Sequence, residues 1–454
     1  MNFQDTQIDL PGLVEAFGEY PLYLVGGSVR DAALGRLGHD LDFTTPARPE
    51  VVKEILEGWA EKVWDTGIEF GTVSAAFKGK QIEITTFRSD TYDGDSRNPE
   101  VAYGDTLEGD LIRRDFTINA MAYQLGGDFH DPLGGMTDLH RGIIDTPATP
   151  EQSFHDDPLR MLRAARFTSQ LEFSVAPRVK QAMTDMAAEI NRITVERIQV
   201  ELDKLMLGAC PERGIDLLVE TGIAQHVFPE IPALAMEPDE HAQHKDVYAH
   251  SMKVLRQAID QEEEPDLVLR WAALLHDIGK PDTRDFHDGR VTFHHHEVVG
   301  AKLVRKRMRK LKYPKAVTEN VAQLVYLHMR FYGFGENQWT DSAVRRYVND
   351  AGELLPKLHK LVRADCTTRN ERKSRRLQRT YDHLEDRIAE IQAKEDLARI
   401  RPDLDGNEIM DILGLEPGPE VGEAWAFMKE LRLEEGPLER DVAIAKLREW
   451  WDSR

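Results

Sequence analysis

The chain has 454 residues, 41% of them hydrophobic and 30% charged, with a formal net charge of −22; this composition suits a soluble protein of about two to four domains with a sizeable core. No stretch reaches the length of a membrane span, and the start MNFQDTQIDL is neither basic nor apolar, so a cytoplasmic protein without a leader is expected. Two cysteines, Cys210 and Cys366, exclude a disulfide framework and a cysteine zinc site. The acidic balance opposes RNA binding on average, but residues 304–315 and 369–379 are strongly basic. Each basic run reads equally as a solvated helix face or as a stripe that tracks phosphates.

Tyr23-Leu24-Val25 predicts a short buried strand. Gly26-Gly27 then gives a tight turn whose N–H groups can approach phosphate oxygens, and Arg30 adds a fixed positive charge. The run DLDFTT, residues 40–45, predicts a second strand on which Asp40 and Asp42 point to one face. Carboxylates so placed can hold two divalent cations, which acidify an attacking hydroxyl and neutralise a leaving pyrophosphate. A lone D-x-D or Gly-Gly is usually a plain turn. The order strand, Gly-Gly, Arg-Asp, carboxylate strand resembles the head of the nucleotidyltransferase superfamily that includes DNA polymerase beta.

Further strands are expected at residues 72–77 and 82–87, where Glu83 is either a third carboxylate at the metals or an exposed strand residue. A Gly- and Asp-rich connection follows over residues 91–109, with Gly94 and Gly104 as flexible points. In LIRRDFTINAMAY, residues 111–123, Arg113, Arg114 and Asp115 precede a helix-like run containing Asn119. Their charge suits a triphosphate or sugar, or else makes a surface ion pair. DPLGGMTDLHRGIIDT, residues 131–146, reads as a hairpin and turn, with Gly134, Gly135 and Asp138 placed to brace the head.

After about residue 151 the pattern is helical almost throughout. In HDDPLRMLRAARF, residues 155–167, Pro158 suits a first helical turn and Asp156 or Asp157 a cap. Asp157, Arg160, Arg163 and Arg166 follow at a spacing of three, a stripe that drifts slowly around the helix. A carboxylate facing an amino group and a guanidinium facing a ring nitrogen satisfy the Watson–Crick edges of cytosine and adenine. Uracil and guanine invert that pattern and would leave buried groups unpaired. Side chains could thus select C and A without a nucleic-acid template. Taken alone, the stripe reads as exposed i, i+3 ion pairs worth roughly a few tenths of a kcal/mol each.

LVGGSVRD with DLDFTT, RRDFTINAM, DPLGGMTDL and DDPLRMLRAARF, in this order, resemble the successive motifs of class II tRNA nucleotidyltransferases, the CCA-adding enzymes. ITVERIQVELDKLM, residues 193–206, is similar to the family's next motif, a helix that braces the templating helix. The resemblance implies a five-stranded head, a nucleotide-binding neck, and a helical body and tail. It also implies addition of C, C and A to the tRNA 3′ end from CTP and ATP with Mg²⁺. It places Gly27, Arg30 and Arg114 at the nucleotide, Asp40 and Asp42 at metal, and Asp157, Arg160, Arg163 and Arg166 at base and triphosphate. Where the family has Glu before the templating Asp, this chain has Asp156, which is expected to shorten a supporting contact.

A second constellation comprises His250, the pair His276-Asp277 in LLHDIGK, His296, His328 and Asp365. Imidazole and carboxylate ligands from separate helices suit a divalent transition metal that activates water against a phosphate ester. HDIGK and the order His, His-Asp, Asp resemble the HD phosphohydrolase superfamily, with His296 and His328 at the added ligand positions of its binuclear members. Some CCA-adding enzymes of the bacterial type carry such a domain. The resemblance implies Mn, Ni, Co or Fe and a phosphomonoester or 2′,3′-cyclic phosphate at a tRNA end, or else a scaffold that has lost its chemistry. Residues 404–425 resemble a carboxy-terminal helical element of HD-bearing members, with Pro417-Gly418-Pro419 separating two helices.

The expected protein is α+β, with a polymerase-beta-like α/β head at 1–145 and a helical, base-reading neck at 146–230. An HD domain at 231–368 and a helical body and tail contacting tRNA at 369–454 complete it, as a monomer or homodimer. Two other readings stand beside it. A poly(A) polymerase or A-adding relative shares the head and neck, though the strongly basic terminal extension of bacterial poly(A) polymerases is absent. An HD phosphohydrolase with a non-catalytic RNA-binding head is opposed by the presence of Asp40, Asp42, Asp157 and Arg160.

Overall fold

A computed structural model describes residues 8–88, 103–104, 106–236, 246–287, 290–333, 339–367, 371–395 and 400–454. The chain divides into two compact units, Met1–Pro229 and Glu230–Arg454. Among the described residues no helix is long and apolar enough to cross a membrane.

The first unit begins with a seven-stranded sheet made of β1 Tyr23–Val25, β2 Asp40–Thr45, β3 Lys62–Trp64, β4 Thr72–Phe77, β5 Lys80–Thr86, β6 Ala122–Gln124 and β7 Phe129–His130. Their order is β3-β4-β5-β2-β1-β6-β7. The short edge strands β3 and β7 extend it beyond the five strands expected. β2 and β5 run parallel, and every other pair is antiparallel. Along β2 the side chains alternate: Leu41 and Phe43 enter the core at 2% and 1% exposure, so Asp40 and Asp42 stand on the opposite face. The register sets Glu83 of β5 directly beside Asp42.

Three local expectations are corrected. Gly26-Gly27 does not form a loop turn: the helix Gly26–Ala33 starts at the residue after β1. Gly26 makes that junction at φ +65°, a conformation that glycine adopts without strain. Arg113 and Arg114 follow the end of a helix, Leu107–Ile112, instead of preceding one, and Asn119 closes a single 3₁₀ turn, Thr117–Asn119. Residues 135–141 form a helix in place of a hairpin, because Asp131 accepts hydrogen bonds from the backbone N–H groups of Gly135 and Met136 and so satisfies its first turn. Asp138 accepts from Thr117 Oγ1 at 2.6 Å, a contact within the head. Most of the expected loop at 91–109, including Gly94, lies outside the described residues.

The rest of the first unit is mainly helical. Pro150–Asp156 and Leu159–Leu171 are separated at Asp157, whose extended backbone is the conformation imposed on a residue before proline. Leu159–Leu171 packs on Val195–Met206 and Pro211–Glu220 through Met161, Leu162, Ala164 and Ala165, each at most 1% exposed.

In the second unit, Leu267–Leu275 is buried on all sides from Leu269 onward, as befits a central helix. The helices Val247–Ile259, Lys315–Leu327 and Leu355–Ala364 pack against it. Gly406–Leu413, Pro419–Glu435 and Arg440–Asp452 close a separate small core around Ile409, Met428 and Leu447, with the expected break before Pro419. Of the first basic run, Arg305, Arg307 and Arg309 are all paired with glutamates, which favours the solvated-face reading there. Of the second run, residues 369–370 lie outside the described residues and Arg375 pairs with Glu371.

Candidate active site and metal centre

Asp40, Asp42 and Glu83 stand at one end of the parallel β2–β5 pair, Asp42 beside Glu83 in register. The surrounding protein, then the negative charges of Glu83 and Asp40, raise the Asp42 carboxyl above its ordinary value, while Arg114 and Arg30 oppose the rise. Carboxylates crowded in this way fit a hard divalent cation, which would relieve their repulsion. Ser28, which sequence reasoning missed, links β2 to the helix after β1: its Oγ accepts from Asp42 N at 2.9 Å. That helix has no side-chain cap at its start, so its first N–H groups are left for another acceptor.

A relay of side chains connects this end of the sheet to the neck. Arg30 is gripped by Asp31 through Nε and Nη2 and donates from Nη1 to Asn119 Oδ1 at 2.8 Å. Asn119 donates to Asp115 Oδ1 at 3.0 Å, and Arg163 Nε donates to Asp115 Oδ2 at 2.8 Å. Burial would raise the Asp115 carboxyl, but Arg163 and the Asn119 amide outweigh it and bring it down to about 2. A carboxyl lowered in the folded state contributes stability above its unfolded value near 3.8 and loses it as pH falls through about 2. Asp115→Asn is therefore expected to cost about 2 kcal/mol at neutral pH. The gap to the parent should close between about pH 4 and pH 2, as read by urea unfolding across that range.

Asp157 and Arg160 are each held by two protein partners. Asp157, between the two helices, accepts from Leu159 N, the first residue of the next helix, at 3.1 Å and from Arg197 Nη2 at 2.9 Å. Arg160 donates to Ser153 Oγ at 2.9 Å and to the Arg113 carbonyl at 2.7 Å. Arg166 is buried and faces Glu201 of Val195–Met206 at 3.2 Å. Burial, then the neighbouring Arg163 charge, lowers it to about 10. Its contact braces the helix. Asp156 spends its carboxylate on Gln152 of its own helix, at 2.6 Å. Arg197 and Glu201 lie in a segment the sequence singled out as a brace, but their partners are 40 and 35 positions away.

The second constellation converges completely. His250 comes from Val247–Ile259, His276 and Asp277 from the end of Leu267–Leu275, His296 from the start of His296–Lys310, and His328 and Asp365 from the ends of Lys315–Leu327 and Leu355–Ala364. Among the described residues, two groups could each hold an ion, His250–His276–Asp277 and Asp277–His296–His328. Asp277 serves both: Oδ2 lies 3.2 Å from His276 Nε2, and Oδ1 lies 3.3 Å from His296 Nε2. Asp365 Oδ1 is 3.0 Å from His250 Nε2. Gly279 permits the close fit, since a Cβ there would stand 2.2 Å from the His296 carbonyl oxygen.

The imidazole tautomers point the same way. His296 and His328 each place Nδ1 on a backbone carbonyl three residues earlier, at 2.9 and 2.6 Å. A neutral imidazole held this way has its proton on Nδ1 and a lone pair on Nε2, the metal-binding form, and the two Nε2 atoms lie 3.3 Å apart. Two lone pairs cannot hydrogen-bond to each other, but a cation between them satisfies both. Burial, then the charge of His276, pushes His328 down to about 4, which keeps it neutral. Lys280, within the HDIGK run but not foreseen as a contact, donates to Asp277 Oδ2 at 2.6 Å.

A carboxylate-bearing mixed sheet with a helical neck, followed by a helical unit with a histidine–aspartate metal centre, defines a nucleotidyltransferase joined to an HD domain. The Poly A polymerase head domain family matches residues 22–145, the probable RNA- and SrmB-binding site of polymerase A matches 172–234, and the HD domain matches 247–389. An A-adding tRNA nucleotidyltransferase of Deinococcus radiodurans is 34% identical over 418 residues, covering 90% of this chain and 91% of that protein. The chain belongs to the tRNA nucleotidyltransferase family. A CCA-adding enzyme of Levilactobacillus brevis is 44% identical over 208 residues, which are 46% of this chain and 51% of that relative. The crystal structure of the Bacillus stearothermophilus CCA-adding enzyme in complex with CTP matches with a TM-score of 0.68 at 27% identity, covering 98% of this chain and 97% of the other. Head and HD domain are both folds of divalent-metal chemistry.

Proposed function

We propose that this protein adds C, C and A to the 3′ end of tRNA from CTP and ATP, acting in the cytoplasm as a monomer or homodimer. The observation that carries the reading is the Arg30–Asn119–Asp115–Arg163 relay, which ties the carboxylate end of the sheet to the helix bearing Asp157 and Arg160. Asp40 and Asp42, with Glu83 as a third carboxylate, would hold Mg²⁺, which when bound acidifies the attacking 3′-hydroxyl and neutralises the leaving pyrophosphate. Gly27 leaves room beside Arg30, and Arg30, Arg114 and Arg163 supply the positive charge that seats a triphosphate. Asp157 accepts from the amino group of cytosine or adenine, and Arg160 donates to the ring nitrogen. Arg166 supports these two through Glu201.

For the HD centre the proposal is a metal-dependent phosphohydrolase holding Mn, Ni, Co or Fe on His250, His276, Asp277, Asp365, His296 and His328. Its imidazole-rich donor set suits those ions better than Mg²⁺. Asp277→Ala is expected to remove most bound transition metal, measured by elemental analysis of the purified protein, and to leave nucleotide addition unchanged. Loss of addition in that variant would mean that the two sites are not independent.

A second reading is favoured by one observation: a relative that matches over 90% of this chain is an A-adding tRNA nucleotidyltransferase. Purified protein with Mg²⁺, CTP and ATP separates the two on tRNA transcripts ending at the discriminator base or in CC. Three additions and arrest on the first transcript support CCA addition. Extension of the second transcript alone selects A addition, and a long A ladder selects a poly(A) polymerase. No extension of either removes the nucleotidyl-transfer reading and leaves the HD centre as the working site.

A further inference from the structure

We propose that Asp110 is a positioning residue that sets Arg114 beside the metal-binding carboxylates and Arg160 at the base. One buried carboxylate then serves both the triphosphate and the Watson–Crick edge. The proposal rests on the nucleotidyl-transfer reading above.

Asp110 lies on Leu107–Ile112, a short helix that buries Leu107 and Leu111 against Val25, Phe87, Ala120 and Ala122. Its side chain is 0% exposed. Oδ1 accepts from Arg113 Nε and Nη2 at 3.2 and 2.9 Å and from the Arg88 backbone N–H at 3.3 Å, and Oδ2 accepts from Arg114 Nη2 at 3.0 Å. A buried carboxylate with charge-assisted donors on both oxygens is a rigid anchor. Burial would raise its carboxyl, but Arg114 and Arg113 hold it below the ordinary value.

Each arginine then carries the anchor outward in a different direction. Arg114 keeps Nη1 on the side away from Asp110, where a Cβ on Gly26 would stand 3.0 Å from it and 3.9 Å from Asp42 Oδ2. Arg114 thus holds the buried carboxylate with Nη2 while Nη1 lies beside Gly26, near Asp42, whose carboxyl it acts to lower. Arg113, held on the same carboxylate, fixes its own backbone carbonyl, and that oxygen accepts from Arg160 Nη2 at 2.7 Å. An arginine left to its many rotamers would have to be ordered again by every incoming nucleotide, and that ordering weakens binding.

Asp110→Asn keeps the shape and one acceptor but removes the charge. The expected result is a KM for CTP and ATP raised about tenfold, the loss of one charge-assisted hydrogen bond. The kcat/KM ratio of CTP over UTP should fall, while KM for tRNA should stay constant. A residue with a merely structural role would lower the unfolding temperature and leave nucleotide KM and the CTP/UTP ratio untouched, and that outcome overturns the proposal. Should Asp110→Asn fail to fold, Asp110→Glu carries the same test, because it keeps the charge and displaces it by one methylene. The parent protein, assayed in parallel, separates the two levels: a parent that adds no nucleotide sinks the nucleotidyl-transfer reading. An active parent with unaltered variants sinks the role of Asp110 alone.

Discussion

Asp42→Ala is expected to lower nucleotide addition by at least about 10³-fold, because it removes carboxylate oxygens proposed to hold the metal, whose chemistry supplies several kcal/mol to the transition state. Affinity for tRNA, measured by filter binding at fixed salt, should be nearly unchanged, since RNA is held mainly by cations elsewhere. Residual addition at a tenth of the parent rate would displace Asp42 from the metal site. A stability signature accompanies the loss. The folded-state carboxyl is raised by burial and by Glu83, so its ionised form destabilises the protein once the pH exceeds that raised value. Without divalent cations at neutral pH, Asp42→Asn should therefore melt no lower than the parent. Added Mg²⁺ should raise the melting temperature of the parent and leave that of Asp42→Asn unmoved.

Arg160→Ala should collapse discrimination between CTP and UTP by about 10²-fold or more. A site that hydrogen-bonds a polar edge rejects the wrong partner by leaving buried groups unpaired, and that penalty disappears with the guanidinium. The readout is the ratio of kcat/KM for the two nucleotides on a transcript ending at the discriminator base. An unchanged ratio removes Arg160 from base reading. Its two partners make the substitution more informative: Ser153 and the Arg113 carbonyl hold the side chain in place before any nucleotide arrives. Ser153→Ala should reproduce a smaller part of the same loss, through a less ordered Arg160.

Local pattern was enough wherever chemistry depends on the spacing of neighbours. The i, i+2 carboxylates Asp40 and Asp42 come from the period of a strand, and the extended backbone of Asp157 comes from Pro158. Turn geometry was less legible. Gly26-Gly27 and residues 131–146 both read as turns, yet each lies at a helix start, because glycine marks a change of backbone direction without specifying the next element. The histidines and aspartates of the second unit were legible as a set through the resemblance that HDIGK and the order His, His-Asp, Asp carry; a His-Asp pair alone says little, since His39-Asp40 and His155-Asp156 lie in the first unit. The division of that set into two groups sharing Asp277 was not readable.

The sequence by itself determined the fold class, the order of the motifs and the kind of side chain at each chemical task, because strand period, helix period and capping act over a few residues. Tertiary structure decided which charges cooperate. Asp110 with its two arginines, Asn119 between Arg30 and Asp115, Arg197 on Asp157 and Lys280 on Asp277 are all defined by contacts. Two of these, Arg30 with Asn119 and Arg197 with Asp157, join elements far apart in the chain, and there a charge takes its partner from whatever packing brings within about 3 Å, a distance that sequence spacing does not encode.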